Sequence, residues 1–223
     1  MFRQNILKFL SWSFISVLLI AAGNLQAASA MESEVAKIQH QWDVINYQTS
    51  EQSKSKAFER LAQQAHAVSE RYPDRPEPLV WESIVLSSYA GSLSGLSKMG
   101  ALSKAEQARD LLLKAEKINT SMKDGSIYTS LGALYFKVPG WPLGFGDNKK
   151  AYAYLQKALQ LNPNGIDPNY FLGELLFYQN KYKEAYQVLQ RAQKSPPRPS
   201  REIADQGRRK EVAHLIAKVK RFM

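Results

Sequence analysis

Small and large apolar residues recur along this chain at a fixed spacing. In AYAYLQKALQLNP, Ala151, Leu155, Ala158 and Pro163 stand four, three and five positions apart; in AYQVLQRAQKSPP, Ala185, Leu189, Ala192 and Pro197 repeat that spacing, offset by 34 at every position. ARDLLLKAEKINT keeps it a third time with Ala108, Leu112, Ala115 and Thr120. Steps of four and three return to one side of a helix every two turns. Alanine there admits a neighbouring helix, leucine fills the space between, and proline ends the helix. A second helical segment precedes each of the two clearest sets: Tyr128, Leu131, Gly132 and Tyr135, then Leu172, Gly173 and Leu176. Glycine in mid-helix is less favourable than alanine by about 1 kcal/mol. Gly132 and Gly173 are therefore expected where a neighbouring helix leaves no room for a side chain.

The two glycines are 41 positions apart, seven more than the period of 34. Seven residues are thus inserted between the helices of the earlier repeat, in the stretch KVPGWPLGFGD at 137–147. The stretch lacks the terminal Gly-Lys-Ser/Thr of a phosphate loop, since Asp147 and Asn148 follow Gly146, and a helix rather than a strand precedes it. Asp147 is predicted to cap a helix that begins at Asn148. Trp141 and Phe145 either plug the neighbouring helix junction or form a contact surface.

Leu131, Gly132 and Tyr135 with Ala151, Leu155, Ala158 and Pro163 resemble a tetratricopeptide repeat, and Leu172, Gly173 and Leu176 with Ala185, Leu189, Ala192 and Pro197 resemble another. Asn169 departs from the pattern where a bulky aromatic is usual, and Tyr170 is the neighbouring candidate to replace it. The resemblance implies an all-α, TPR-like solenoid of about three to four irregular helical hairpins with a C-terminal capping helix. Residues 31–77 form a degenerate N-terminal repeat, with helices in IQHQWDVINY and KAFERLAQQAHAVSERYP. Residues 78–123 form an irregular repeat interrupted by GSLSGLSKMGALSK, 125–165 the repeat with the inserted loop 138–147, and 166–199 the clearest repeat. Residues 200–223 are the cap, entered from Ser200 as its N-cap, with Ile203, Val212, Leu215, Ile216 and Val219 on the last repeat.

Composition changes this picture mainly at the ends. Arg3 and Lys8, the apolar run FLSWSFISVLLIAAG and the small residues Ala28, Ser29 and Ala30 read as a signal peptide cleaved after Ala30. The competing reading is a retained anchor, against which the run from Phe9 to Ala22 is shorter than the ~17–25 residues of a spanning helix. The chain has no cysteine, which excludes disulfides, thiolate chemistry and lipid attachment. A periplasmic, non-lipidated protein is expected. The formal charge of +10 is concentrated late: residues 31–190 carry 18 Lys and Arg against 17 Asp and Glu, whereas 191–223 carry 10 against 3. The basic end reads first as a solvated helix face, with an anionic membrane surface or acidic partner as alternatives and no nucleic acid implied for an exported protein.

Candidate chemistry is sparse. His40, His66 and His214 are scattered with no carboxylate or second histidine at ligand spacing, so no metal or other cofactor is expected, and no serine sits in a G-x-S-x-G turn. No catalytic residue is assigned; a small enzyme with its site around Asp147, Lys149 and Lys150 is the reading set against this. Tyrosine offers broad contact area with a polar tip at low entropic cost. Tyr128, Tyr135, Trp141, Phe145, Asp147 and Tyr178 are therefore the candidate contact residues, chiefly Tyr128 and Tyr178 on the first helices of their repeats.

The phrase around Trp141, Pro142, Gly144, Phe145, Gly146 and Asp147, between the helices of one repeat in an exported chain, resembles the periplasmic T-component family associated with TRAP transporters. The resemblance covers roughly residues 55–195 and implies a non-enzymatic solenoid, in some members a homo-oligomer. Such a protein docks a periplasmic substrate-binding protein and passes it small hydrophobic ligands. Members are typically lipoproteins, and this chain has no cysteine to acylate. A general periplasmic adaptor for envelope assembly is the alternative. N-terminal sequencing of the protein recovered from a periplasmic extract should begin at Met31; a chain retaining residues 1–30 would contradict cleavage.

Overall fold

In the computed structural model, which describes residues 28–119 and 124–223, each repeated segment is a helix. Helix α1 runs through residues 28–48, followed by α2 (Glu51–Arg71), α3 (Pro76–Ser92), α4 (Ala101–Ile118), α5 (Ser126–Lys137), α6 (Asn148–Leu161), α7 (Ile166–Tyr178), α8 (Tyr182–Gln193) and α9 (Glu202–Val219). Short 3₁₀ turns cover Gly95–Gly100 and Lys220–Phe222. The predicted signal peptide lies outside the described residues except for 28–30, which form the first turn of α1.

The recurrent Ala and Leu positions are the seams between paired helices. Ala108, Leu112, Ala115, Ala151, Leu155, Ala158, Ala185, Leu189 and Ala192 are all fully buried. A Cβ on Gly132 would lie 2.6 Å from Leu155 Cγ, and one on Gly173 would lie 2.6 Å from Leu189 Cγ. Each glycine thus stands where a neighbouring helix leaves no room, as expected, and the side chain that fills the space is the leucine of the partner helix. Gly125 has a second reason to be glycine: its φ is +66° and a Cβ would meet the Ala158 carbonyl at 2.8 Å. Asn169 is fully buried and ties α7 to the preceding turn, its Nδ2 donating to the carbonyls of Pro163 and Gly165, each at 2.9 Å. Asn169 keeps the fully buried position itself, while the half-buried ring of Tyr170 meets α9, under the guanidinium of Arg208 at 4.4 Å.

Helices α3/α4, α5/α6 and α7/α8 pack as successive pairs, with α9 on α8 and α7. Helices α3, α5, α7 and α9 also meet one another in succession, with no comparable succession among α4, α6 and α8 in the described residues. The first helices are therefore the closer-spaced layer, and the solenoid curves with them on its inside. Helix α1 lies antiparallel to α2, placing Glu34 beside Arg71 near one end and Val44 and Ile45 opposite Ala57 and Leu61 near the other.

Two expectations at the C-terminal end are corrected. Ser200 is not the N-cap of the last helix: it has φ 57°, Arg201 is the N-cap, and α9 starts at Glu202. The turn is held instead from inside the helix, where Asp205 accepts the backbone N–H of Arg198 at 2.8 Å. The basic end is also more than a solvated face. Arg198, Arg201 and Arg208 pair with carboxylates, and Arg209 donates to the carbonyls of Gln193 and Ser195.

Gly132→Ala and Gly173→Ala should each lower stability by up to about 2 kcal/mol in urea denaturation. Overpacking of about 1–3 kcal/mol outweighs the roughly 1 kcal/mol gained in helix propensity. A stabilised variant would contradict the glycine-to-leucine seam.

Candidate interaction surface

Between α5 and α6 the chain spends ten residues, 138–147, where α7 and α8 are joined by three, and the difference is the predicted insertion of seven. The loop is closed by its own backbone. Gly146 N–H donates to the Pro139 carbonyl at 2.9 Å, and Asp147 N–H donates to the Tyr135 carbonyl at 2.8 Å. Gly146 and Gly144 are required by close approach, since a Cβ would lie 1.9 Å from the Val138 oxygen at the first and 2.7 Å from the Pro139 oxygen at the second. Asp147 caps α6 as expected, its Oδ1 accepting the N–H groups of Lys149 at 2.8 Å and Lys150 at 3.1 Å. Those bonds, that of Lys150 foremost, hold its carboxyl below the usual range.

The aromatic pair of the loop divides. Phe145 is half-buried, edge-on to Tyr135 at 5.5 Å, with the Arg109 guanidinium 4.6 Å above its ring. Tyr135 stacks on Tyr154 at 5.6 Å, and Tyr154 stacks on Tyr128 at 6.1 Å. Phe145 is thus the plug, extending a column of rings between α5 and α6. Trp141 is 90% exposed and Leu143 74%, so the loop tip plugs nothing.

The column shows why two tyrosine candidates sit differently from the third. Tyr128 and Tyr135 are buried, with their ring faces against Tyr154. Tyr178 is 62% exposed at the end of α7, resting on Phe136 at 5.5 Å and on Phe177. Beside it Lys137 pairs with Glu174, and Lys218 stands 5.9 Å from its ring. Of the six candidate contact residues, Tyr135 and Phe145 touch each other with Tyr128 on the same column, whereas Trp141 and Tyr178 stand outside it.

At the other end of the inner layer, sequence reasoning missed a network of charges. Asp43 of α1 is 1% exposed and accepts two hydrogen bonds from Arg201, at 2.8 and 2.9 Å. Arg201 also covers the ring of Trp81, which meets Trp42, and Trp42 donates to Ser88 at 2.8 Å. Next to this, Asp167 at the start of α7 accepts from Arg198 at 2.6 Å and from Arg208 at 2.8 Å, and Arg208 also holds Glu211. Tyr47 of α1 packs so closely on α9 that a Cβ on Gly207 would lie 2.2 Å from its ring. Helix α1 is therefore latched to α9. The only sequence signal was the basic excess after residue 190, which pointed to charge but not to its partners.

Titration follows this layout. Burial pushes the Asp43 carboxyl up despite Arg201, and pushes the Tyr47 hydroxyl up to about 12. Burial acts to raise Asp167 as well, but the charges of Arg208 and Arg198 overcome it and hold this carboxyl at about 2. The expectation that His66 has no carboxylate at ligand spacing is corrected: Nε2 lies 3.4 Å from Glu70, four residues on along the same helix, and Nδ1 lies 2.8 Å from Glu82, which only the packing of α3 on α2 brings near. No group of three or more His, Cys, Asp or Glu side chains suited to a metal occurs among the described residues. No described helix is long and apolar enough to cross a membrane. A groove of about 270 Å³ between α1 and α2, lined by His40, Val44, Ile45 and Leu61, falls below the ~300–1,000 Å³ of small-molecule pockets.

Because Asp167 titrates lower in the folded chain than unfolded, its contribution is complete above pH about 4 and is lost as pH falls toward 2. Asp167→Asn should cost roughly 2 kcal/mol at pH 7, and the deficit relative to the parent chain should narrow as urea titrations are repeated from pH 5 downward. A deficit that stays constant to pH 2 would contradict this pairing.

Residues 143–218 match the family model described as tetratricopeptide repeat. A thermophilic TPR protein of Thermus thermophilus shares 17% identity at a TM-score of 0.54, covering 91% of this chain and 96% of its own. The MamA protein (18%, TM-score 0.44) and Pseudomonas aeruginosa PilF (16%, TM-score 0.36) each cover 85% of this chain and 92% of their own. No curated protein sequence matches. The likeness to the Thermus protein concerns the fold, and the match over 143–218 takes in the second half of the loop, α6 to α8 and most of α9. This chain is a TPR-like helical solenoid whose residues 143–218 match the tetratricopeptide-repeat model.

Proposed function

We propose that this chain is an exported, non-enzymatic binding protein, a TPR-type interaction module that holds a periplasmic protein on the inner layer of its solenoid. Tyr178 carries the reading. It is a large aromatic left exposed on the inner side of α7, braced by Phe136 and Phe177 and bordered by Lys137, Glu174 and Lys218. A braced aromatic gives contact area with little ordering entropy, the property that makes tyrosine a frequent interface anchor. The latch of α1 on α9 occupies the opposite end of the layer, leaving the C-terminal halves of α5 and α7 as the open part. The resemblance of the 138–147 phrase to the T-component family supports a TRAP substrate-binding protein as the partner, with a small hydrophobic ligand as what the two would exchange. Against the reading of a small enzyme around Asp147, Lys149 and Lys150 stands the engagement of the Asp147 carboxylate in capping α6.

Titration calorimetry of the chain against the TRAP substrate-binding proteins of its own source should give saturable binding. Tyr178→Ala should weaken it about tenfold or more with little change in melting temperature. A parent chain that binds none of them would overturn the transporter reading and leave the general envelope adaptor.

A further inference from the structure

The exposed large apolar residues are not scattered. Helices α3, α5, α7 and α9 run in one direction, so their C-terminal ends, and the turns that follow, share one edge of the solenoid. Of the eight large apolar side chains exposed in the described chain, seven lie on that edge and only Ile118 lies elsewhere. Besides Tyr178 they are Met99, Trp141, Leu143, Tyr152, Phe222 and Met223. The turns that carry them are continuous. Leu102 Cδ1 lies 3.2 Å from where a Cβ on Gly144 would stand, Lys181 Nζ is 5.9 Å from the Tyr152 ring, and Phe222 stacks on Tyr182 at 5.1 Å.

The same segments are basic. Over 141–152, 178–184 and 220–223 the charged side chains are Lys149, Lys150, Lys181, Lys183, Lys220 and Arg221, against Glu184 and the capping Asp147. All six cations are exposed. This composition distinguishes among partners. Protein interfaces deplete lysine at their centres and seat their anchors in pockets. Here five of the six cations are lysine, and Trp141 and Leu143 project from a turn with no cradle. Projecting aromatic and aliphatic tips that enter the headgroup zone, with lysines beside them as point charges, suit the surface of an anionic bilayer.

We infer that this edge docks the solenoid peripherally on an anionic phospholipid surface, with Trp141 and Leu143 as the inserted tip and Lys149, Lys150, Lys220 and Arg221 against the headgroups. Docked this way the inner layer stands upright on the membrane. The partner face around Tyr178 adjoins the docked edge, so the two surfaces are tested with different residues.

Because the chain has no cysteine, Leu143→Cys gives a unique site for an environment-sensitive fluorophore, and Lys117→Cys, at the end of α4 on the opposite edge, gives the control. The chain from Met31, the exported form expected after cleavage, is used, so that the apolar segment at 9–22 does not bring it to the vesicles. With vesicles of phosphatidylglycerol and phosphatidylethanolamine the probe at 143 should brighten and shift to the blue, and the probe at 117 should not. Adding Lys149→Glu and Lys150→Glu should weaken the response at 143 by about tenfold or more in lipid concentration. Silence at 143, an equal response at 117, or an equal response to phosphatidylcholine alone would each overturn the proposal. Silence toward vesicles together with a shift on adding an acidic protein would assign the edge to that partner instead.

Discussion

A carboxylate removed from water must be met by a counter-charge, and Asp43 is nearly completely enclosed. Its partner, Arg201, is 158 residues away. That pairing brings the first described helix against the last, and the consequences spread from it. Arg201 covers Trp81, Trp81 and Trp42 order the junction of α1 with α3, and Tyr47 presses on Gly207. A buried pair of this kind adds little net stability beyond what packed apolar residues would give, but losing one partner is destabilising by about 3–5 kcal/mol. The latch therefore acts mainly as a constraint on geometry, deciding which end of the inner layer is filled and which is open.

The repeat seam supplies the complementary constraint. A leucine entering the space over a glycine sets the closeness of the two helices in each pair, and alanines on either side keep it. With that geometry repeated, the first helices align in one direction and their ends fall on one edge. Surface chemistry then segregates without any single residue specifying it. The turns collect the exposed aromatics and lysines, while the opposite end of the inner layer collects the arginine-carboxylate network. The inserted loop belongs to both regimes, because Phe145 is drawn into the tyrosine column of the seam and Trp141 is pushed out to the edge.

Within the loop, Asp147 as a cap and the excess of seven residues were both legible, since each depends on neighbours a few positions away. The different fates of Trp141 and Phe145 were not, because they depend on Tyr135, Tyr154 and Arg109 meeting from three helices. Tyr128 and Tyr178 looked alike as tyrosines on first helices, yet one lies under a stacked ring and the other at a helix end. Helical position distinguishes faces; it does not say which face a neighbouring pair will cover. Ser200 misled for a related reason: the hydroxyl fits an N-cap locally, but Asp205, reaching back to Arg198, governs where α9 starts.

By itself the sequence determined the helices, the period of 34, the close approach at Gly132 and Gly173 and the place of the insertion. All of these follow from side-chain spacing along one or two adjacent helices, where distance in sequence and distance in space are nearly the same. The tertiary structure alone decided the latch of α1 on α9, the pairing of the C-terminal arginines with Asp43 and Asp167, and the gathering of turn residues into one apolar and basic edge. Those depend on how far the solenoid curves, a sum of small rotations at every helix pair that brings residues more than a hundred positions apart into contact.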